Sequence, residues 1–367
     1  MNYIWQSELF PKFLFKKQEI LPMIQQFAHD MGEVNGMLVA FSHENKQDLF
    51  AEVMLLEALK TSEIEGEYFS REEVMSSLKA NLGIKNYHES SRNKKANAIA
   101  HLMIEVQNSY QKPMTEKMLL DWHQILMENE KGITAGQFRT GTEPMQVISG
   151  NFGDFIIHYE APPSENLPKM ITQFIKWYND FKENDLGKIG EGIILSALAH
   201  LYFETLHPFK DGNGRVGRAL AEKALAEKFE TPLFISISKS IEKDKTRYYD
   251  ELKQAQRNLE VSNWMVYFCS ILLDALSDSK KAVLFTVKKT AFFDKFKNQI
   301  NERELKAIQK MMEMGEDSFV GGMSAKKYIS INKTSKATAT RDLQHLSEIG
   351  ALLKMGGGRS ISYQLNL

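Results

Sequence analysis

Cysteine is almost missing from this 367-residue chain: Cys269 stands alone. One thiol excludes an internal disulfide framework, and its place in the apolar run 264–273 predicts a buried core side chain. Excess basic charge is missing too. Lys and Arg total 46 against 47 Asp and Glu, a net charge of −1, so no global field favours a nucleic-acid coat. No uninterrupted apolar run reaches the roughly 20 residues of a membrane-crossing helix. The best candidate, 193–206, carries His200 and Glu204. Residues 1–17 lack the apolar stretch of a secretion signal. No Gly-x-x-x-x-Gly-Lys-Ser/Thr run exists, which removes the P-loop proteins. A composition of 43% hydrophobic and 25% charged residues reads as soluble and globular. These absences predict a cytoplasmic protein with no membrane contact, and the length predicts two or three domains.

What is present centres on His207-Pro208-Phe209-Lys210-Asp211-Gly212-Asn213-Gly214-Arg215-Val216-Gly217-Arg218. His207 can move a proton near neutral pH. Asp211 can hold a hard cation. Gly212, Asn213 and Gly214 can turn several N–H groups toward one anion. Arg215 and Arg218 offer forked donors for phosphate oxygens. Ala219, Leu220, Ala224 and Leu225 recur at helical spacing, so the glycines open a helix, where dipole and free N–H groups favour phosphate. Gly212-x-Gly214-x-x-Gly217 also fits a dinucleotide fingerprint, which needs a preceding strand. Leu195, Leu198, Tyr202 and Leu206 instead recur as in a helix, so that reading fails. A base, a metal ligand, an anion nest and two arginines together describe phosphoryl or nucleotidyl transfer.

The segment resembles, at every defined position, the His-Pro-Phe-x-Asp/Glu-Gly-Asn-Gly-Arg-x-x-Arg signature of the Fic family. The resemblance implies a mainly α fold: a Fic-type helical core with a β-hairpin flap. It also implies transfer of AMP from ATP to a Ser, Thr or Tyr hydroxyl of a protein, the chain itself included. His207 would be the general base, and Asp211 would hold Mg²⁺, or Mn²⁺ as readily. Gly212, Asn213 and Gly214 would bind the α-phosphate. Arg215 and Arg218 would bind the polyphosphate, with Val216 and Gly217 between them, and Phe209 would anchor the loop.

Further segments extend the resemblance. Thr61-x-x-x-Glu65-Gly66 matches the family's inhibitory motif. It implies that Glu65 pairs with Arg218 and displaces the γ-phosphate, and in some relatives the same glutamate supports removal of AMP. The strand–turn–strand pattern over 145–159 is similar to the family's flap, which adds a strand to the target. Val147, Ile148, Ser149, Gly150 and His158 are its expected target-facing residues. Tyr249, Leu252 and Gln256 recur at i, i+3 and i+7 and match the adenine pocket, except that Gln256 replaces the usual Asn.

The remaining chain supplies the frame. An aromatic arm (Tyr3, Trp5, Phe10, Phe13) precedes a helix near 19–41. His101, His123 and His200 have no metal-ligand partner at i+3 or i+4 and read as core-edge residues. Three helices and a hairpin near the end resemble a winged helix. Its cations are few (Lys333, Lys336, Arg341, Arg359), and Asp342 and Glu348 dilute them, which leaves DNA and protein contact equally open. The expected domains are an N-terminal extension over 1–110 with the inhibitory helix at 47–66, a catalytic core over 111–275, a connecting helix over 276–300 and a winged-helix-like unit over 301–367. A homodimer concealing Glu65 stays open. The rival reading is a winged-helix DNA-binding regulator whose core senses nucleotide.

Overall fold

The computed structural model describes residues 3–82, 91–151, 154–312, 319, 321–357 and 360–367; at 149–151, 154 and 155 it describes the backbone alone. The chain divides into two compact units, residues 1–279 and 280–367.

The first unit is helical. In order come α1 (Lys17–Val39), α2 (His43–Ile64), α3 (Arg71–Asn81), α4 (Lys94–Ser109) and α5 (Glu116–Met127). A hairpin follows, β1 (Gln146–Asn151) and β2 (Asp154–Glu160). Then come α6 (Leu167–Asp180), α7 (Gly187–Leu206), α8 (Asn213–Phe229), α9 (Ile237–Lys243), α10 (Lys245–Ala255) and α11 (Ser262–Phe296). The run 264–273 and most of the connecting helix expected over 276–300 belong to one helix, α11, which ends at Phe296 and within which the division between units falls.

Local chemistry sets the helix starts. Ser42, Ser70 and Thr115 each accept a bond from a first-turn N–H, the last from Met118 N at 3.1 Å. Every residue from Ile193 to Leu206 is buried, so α7 runs through the core with polar residues on no single face. It packs antiparallel to α8, and Leu195, Tyr202, Phe203, Val216 and Leu220 join Trp122 and Phe174 in one apolar cluster. The helix α2 is also buried on several sides. Its Glu57 carboxylate accepts from Ser236 Oγ at 2.7 Å and Ser238 N at 2.9 Å, which ties α2 to the start of α9. The aromatic arm packs as expected: Phe10 and Phe13 meet Tyr202 edge-on, and Tyr3 meets Tyr159 at 4.9 Å.

The second unit holds α12 (Glu302–Met312), α13 (Ala325–Asn332), α14 (Lys336–Glu348) and an antiparallel pair, β3 (Leu352–Met355) and β4 (Ser362–Leu365). Ile308, Met323, Tyr328, Leu343 and Leu346 form its core. Asp342 departs from expectation. It is 3% exposed, accepts from Arg303 Nε at 3.0 Å and Tyr328 Oη at 2.9 Å, and lies 3.7 Å from Arg341 Nε. Arg359 lies outside the described residues.

Candidate active site

The site is the joint between α7 and α8. His207 ends α7 in the left-handed region (φ 44°), and Gly212 (φ 81°) precedes α8, where a Cβ would overlap Met127. Between them the loop is tied down from three sides. The Asn213 side chain accepts from Phe209 N at 2.9 Å and donates to Phe209 O at 2.8 Å. Arg139 donates to the carbonyl of His207 at 2.8 Å and of Leu206 at 3.3 Å, satisfying the open end of α7. Phe209 is fully buried and stacks on His123 at 3.9 Å.

His123 therefore belongs under the site and not at the core edge. Its Nδ1 accepts from Gly136 N at 2.9 Å, so its Nε2–H donates to Asp211 O at 3.2 Å. Burial pushes this imidazole down to about 4, which keeps it neutral in that role. His200 is likewise wholly buried, bonded through Nε2 to Tyr248 Oη at 2.8 Å, and pushed down to about 4 by burial. His101 is exposed. The Asp211 carboxylate is exposed at the cleft mouth, with Oδ1 accepting from Gly212 N at 2.6 Å.

A cleft of about 700 Å³ opens over this joint. His207, Asp211, Gly212, Asn213, Gly214 and Arg218 line it, with Glu65 on one side. Val147, Ile148 and His158 of the hairpin line it too, as do Tyr249, Leu252 and Gln256. Gln256 is the residue that ends α10, and its Nε2 donates to Glu204 O at 3.1 Å. Ser149 and Gly150 pair with Ile156 and Phe155 in the hairpin ladder. The Tyr159 hydroxyl donates to Thr205 O at 2.5 Å, which fixes the hairpin to the end of α7.

Three signature residues are placed differently from expectation. Val216 is fully buried and packs in the core. Gly217 faces inward, where a Cβ would overlap the Glu204 carboxyl. Arg215 is absent from the cleft lining; its Nη1 donates to Glu67 Oε2 at 2.5 Å. The reason is the chain just past α2. Glu67 also accepts from Lys95 Nζ at 2.9 Å, and Lys95 pairs with Glu130. The run Glu65-Gly66-Glu67 was visible in the sequence; that its second acid reaches α8 was not.

Arg218 is 1% exposed and is held from α2. Its Nε donates to Thr61 Oγ1 at 2.8 Å, and its Nη2 donates to Thr61 O at 3.0 Å and to Glu65 Oε1 at 2.7 Å. Its Nη1 has no partner among the described residues, and neither has Arg215 Nε. The Glu65 carboxylate rests on Gly214, where a Cβ would overlap it. Burial alone would raise Glu65, but Arg218, then Arg215 and Lys245, hold it below the usual carboxylate range. Lys245 donates to the Ile64 carbonyl, closing the end of α2. Burial pushes His207 down to about 4, with Arg139 acting in the same direction.

Fold and site define a helical protein with an anion cradle at a helix N-terminus and one of its own carboxylates seated there. Residues 113–225 match the Fic/DOC family. Residues 3–84 match a domain of unknown function, DUF4172. A probable protein adenylyltransferase of Aquifex aeolicus is 38% identical over 69 residues, 19% of this chain and 20% of the relative. The protein adenylyltransferase Fic of Drosophila grimshawi is 28% identical over 142 residues, 39% of this chain and 25% of the relative. The matches thus span a fifth to a quarter of these relatives' length. Among solved structures, a Fic family protein from Desulfovibrio desulfuricans superimposes with a TM-score of 0.55 at 18% identity, covering 97% of this chain and 98% of that one. A Fic domain containing signaling protein from Bacteroides thetaiotaomicron gives 0.53 at 18% identity, covering 71% and 97%. These likenesses establish the fold.

Proposed function

We propose that this chain is a self-inhibited protein adenylyltransferase, moving AMP from ATP to a Ser, Thr or Tyr hydroxyl of a protein. The observation that carries the reading is the Glu65 carboxylate on Gly214 and Arg218, an anion lying where a phosphate would be held. In this reading the target oxygen attacks the α-phosphorus, a new P–O bond forms, the bond to the β-phosphate breaks and pyrophosphate leaves. His207 accepts the hydroxyl proton. Arg218 lines the cleft with its Nη1 unpartnered among the described residues, which suits it to polyphosphate oxygens once Glu65 leaves; Arg215 would first have to part from Glu67. The exposed Asp211 suits Mg²⁺ or Mn²⁺, which would neutralise charge on the phosphates. Exposed Val147 and Ile148 on β1 suit target docking by strand addition.

Glu65 is then the plug, and its neighbour Glu67 holds the other arginine. One short segment after α2 withholds both phosphate-binding forks. The deciding experiment is transfer of label from α-labelled ATP to protein by three forms: wild type, Glu65→Gly, and Glu65→Gly with His207→Ala. Weak, strong and absent labelling, in that order, are expected. Equal labelling of the first two would remove the plug and keep the enzyme.

The order of three helices and a hairpin supports a winged-helix-like reading of residues 301–367, with α14 as the contact helix. Lys336 and Arg341 are exposed on α14, but Arg341 Nε lies 3.7 Å from the Asp342 carboxylate, so nucleic-acid contact stands level with its rival, a protein surface. DNA binding that weakens steeply with salt and is reduced by Arg341→Ala would support it; salt-independent association would argue for protein contact.

A further inference from the structure

Glu204 sits in the last turn of α7, three residues before His207, and lines the same cleft. It is 5% exposed. Its Oε1 has no hydrogen-bond partner among the described residues, and its Oε2 lies 3.8 Å from His207 Nδ1. That separation exceeds a hydrogen bond by less than 1 Å, a gap that a small side-chain rotation closes. Gly217 preserves the space on the other side of the carboxyl. The Glu204 backbone carbonyl is a second acceptor beside the ring, and it also accepts from Gln256 Nε2.

We propose that Glu204 is a positioning residue for His207: its carboxylate accepts a hydrogen bond from Nδ1–H and leaves Nε2 free to take the target's proton. The inference rests on the adenylyl-transfer reading above. It adds a second action of the plug. Burial pushes the Glu204 carboxyl up to about 8, Arg218 pulls it down, and Glu65 adds to the rise. With Glu65 seated, Glu204 keeps its proton and is a donor. A donor beside Nδ1 favours the wrong tautomer, with the ring proton on Nε2. Departure of Glu65 removes one negative neighbour and releases Arg218 from its pair, and both changes favour the carboxylate.

The other groups that reach this carboxyl are His200 and His207 from α7 and its end, Tyr248 and Tyr249 from α10, and Tyr159 from β2. Burial raises all three tyrosines, so they stay neutral through the range where Glu204 titrates.

The test uses the full chain in the Glu65→Gly background, alone and with Glu204→Gln or Glu204→Asp. Label transfer would be followed between about pH 5 and pH 9. Glu204→Gln is expected to slow transfer about 10- to 100-fold with unchanged KM for ATP, and to abolish the rising limb of the pH profile. Glu204→Asp should restore part of the rate and the limb. Superimposable rates and profiles for Glu65→Gly with and without Glu204→Gln would overturn the proposal. A merely structural role would lower Tm and leave the profile in place. The ring ¹⁵N shifts of His207 give a readout that needs no activity: the tautomer should switch with pH in Glu65→Gly and not after Glu204→Gln. If Glu65→Gly labels nothing, the adenylyl-transfer reading fails, and the ring shifts alone decide the Glu204–His207 contact.

Discussion

His123 illustrates how a residue that touches no expected ligand can set a site. It is stacked on Phe209 and bonded to the backbone at both ends of its ring, to Gly136 and to Asp211. His123→Ala would leave a cavity beneath the loop and two backbone groups unpaired. The expected cost is about 2–4 kcal/mol, read as a lower urea midpoint with unchanged m-value. Nothing in the sequence marked His123, because its partners lie 13 and 88 residues away. By contrast Phe209, Asn213 and Arg218 were legible, since the signature keeps their chemistry within one turn of chain. Arg215 shows the limit of such reading: its type was informative, but its direction is set by Glu67.

At the scale of elements, α2 and its end form the regulating piece of the proposed self-inhibition. Thr61 and Glu65 fall one turn apart on α2 and its end, so both reach Arg218, which follows from helical spacing. Glu67 comes after the helix has stopped at Gly66 (φ 81°) and reaches Arg215 only because the chain turns there. Glu67→Ala is therefore expected to raise basal labelling several-fold, less than Glu65→Gly does, and to leave ATP transfer dependent on His207. Unchanged basal labelling would show that the Arg215–Glu67 pair has no part in inhibition. Helices with a polar face, such as α5 with its Thr115 cap and α6, were readable from periodicity. The hairpin was readable from its turn residues. That 264–273 continues into the Lys-rich segment after it was obscured by the change from an apolar to a polar pattern, although 274–276 carries no Gly or Pro and α11 runs unbroken to Phe296.

For the molecule as a whole, buried titratable groups predict a pH of maximum stability. His123, His200 and His207 are each held down near 4 by burial, so the unfolded chain binds their protons first. Their stabilisation is complete above the ordinary His value and is lost as pH falls from about 6.5 toward 4. Glu204, raised to about 8, and Glu222, raised by burial and by Glu57, act oppositely. The native state binds their protons more tightly, so their contribution is lost as pH rises above about 4.5, for Glu204 through about 8. Three histidines outnumber two glutamates below about pH 6.5, and only the glutamates act above it. The Tm is expected to peak near there, and Glu204→Gln should flatten the alkaline side. A Tm rising steadily to pH 8 would contradict this balance.

The sequence by itself determined the chemistry on offer: the glycine-rich turn at a helix start, the histidine before it, the acid–glycine stop of α2 and the helical class. These are local facts, written within single turns by residue type and spacing. Only the tertiary structure decided who meets whom. Glu65 and Glu67 lie about 150 residues before the arginines they hold. Glu204 gains its elevated proton affinity only when α7 and α8 close over it and exclude water. No spacing rule connects such distant positions, because their separation is set by the packing of the whole core and not by the geometry of one helix or strand.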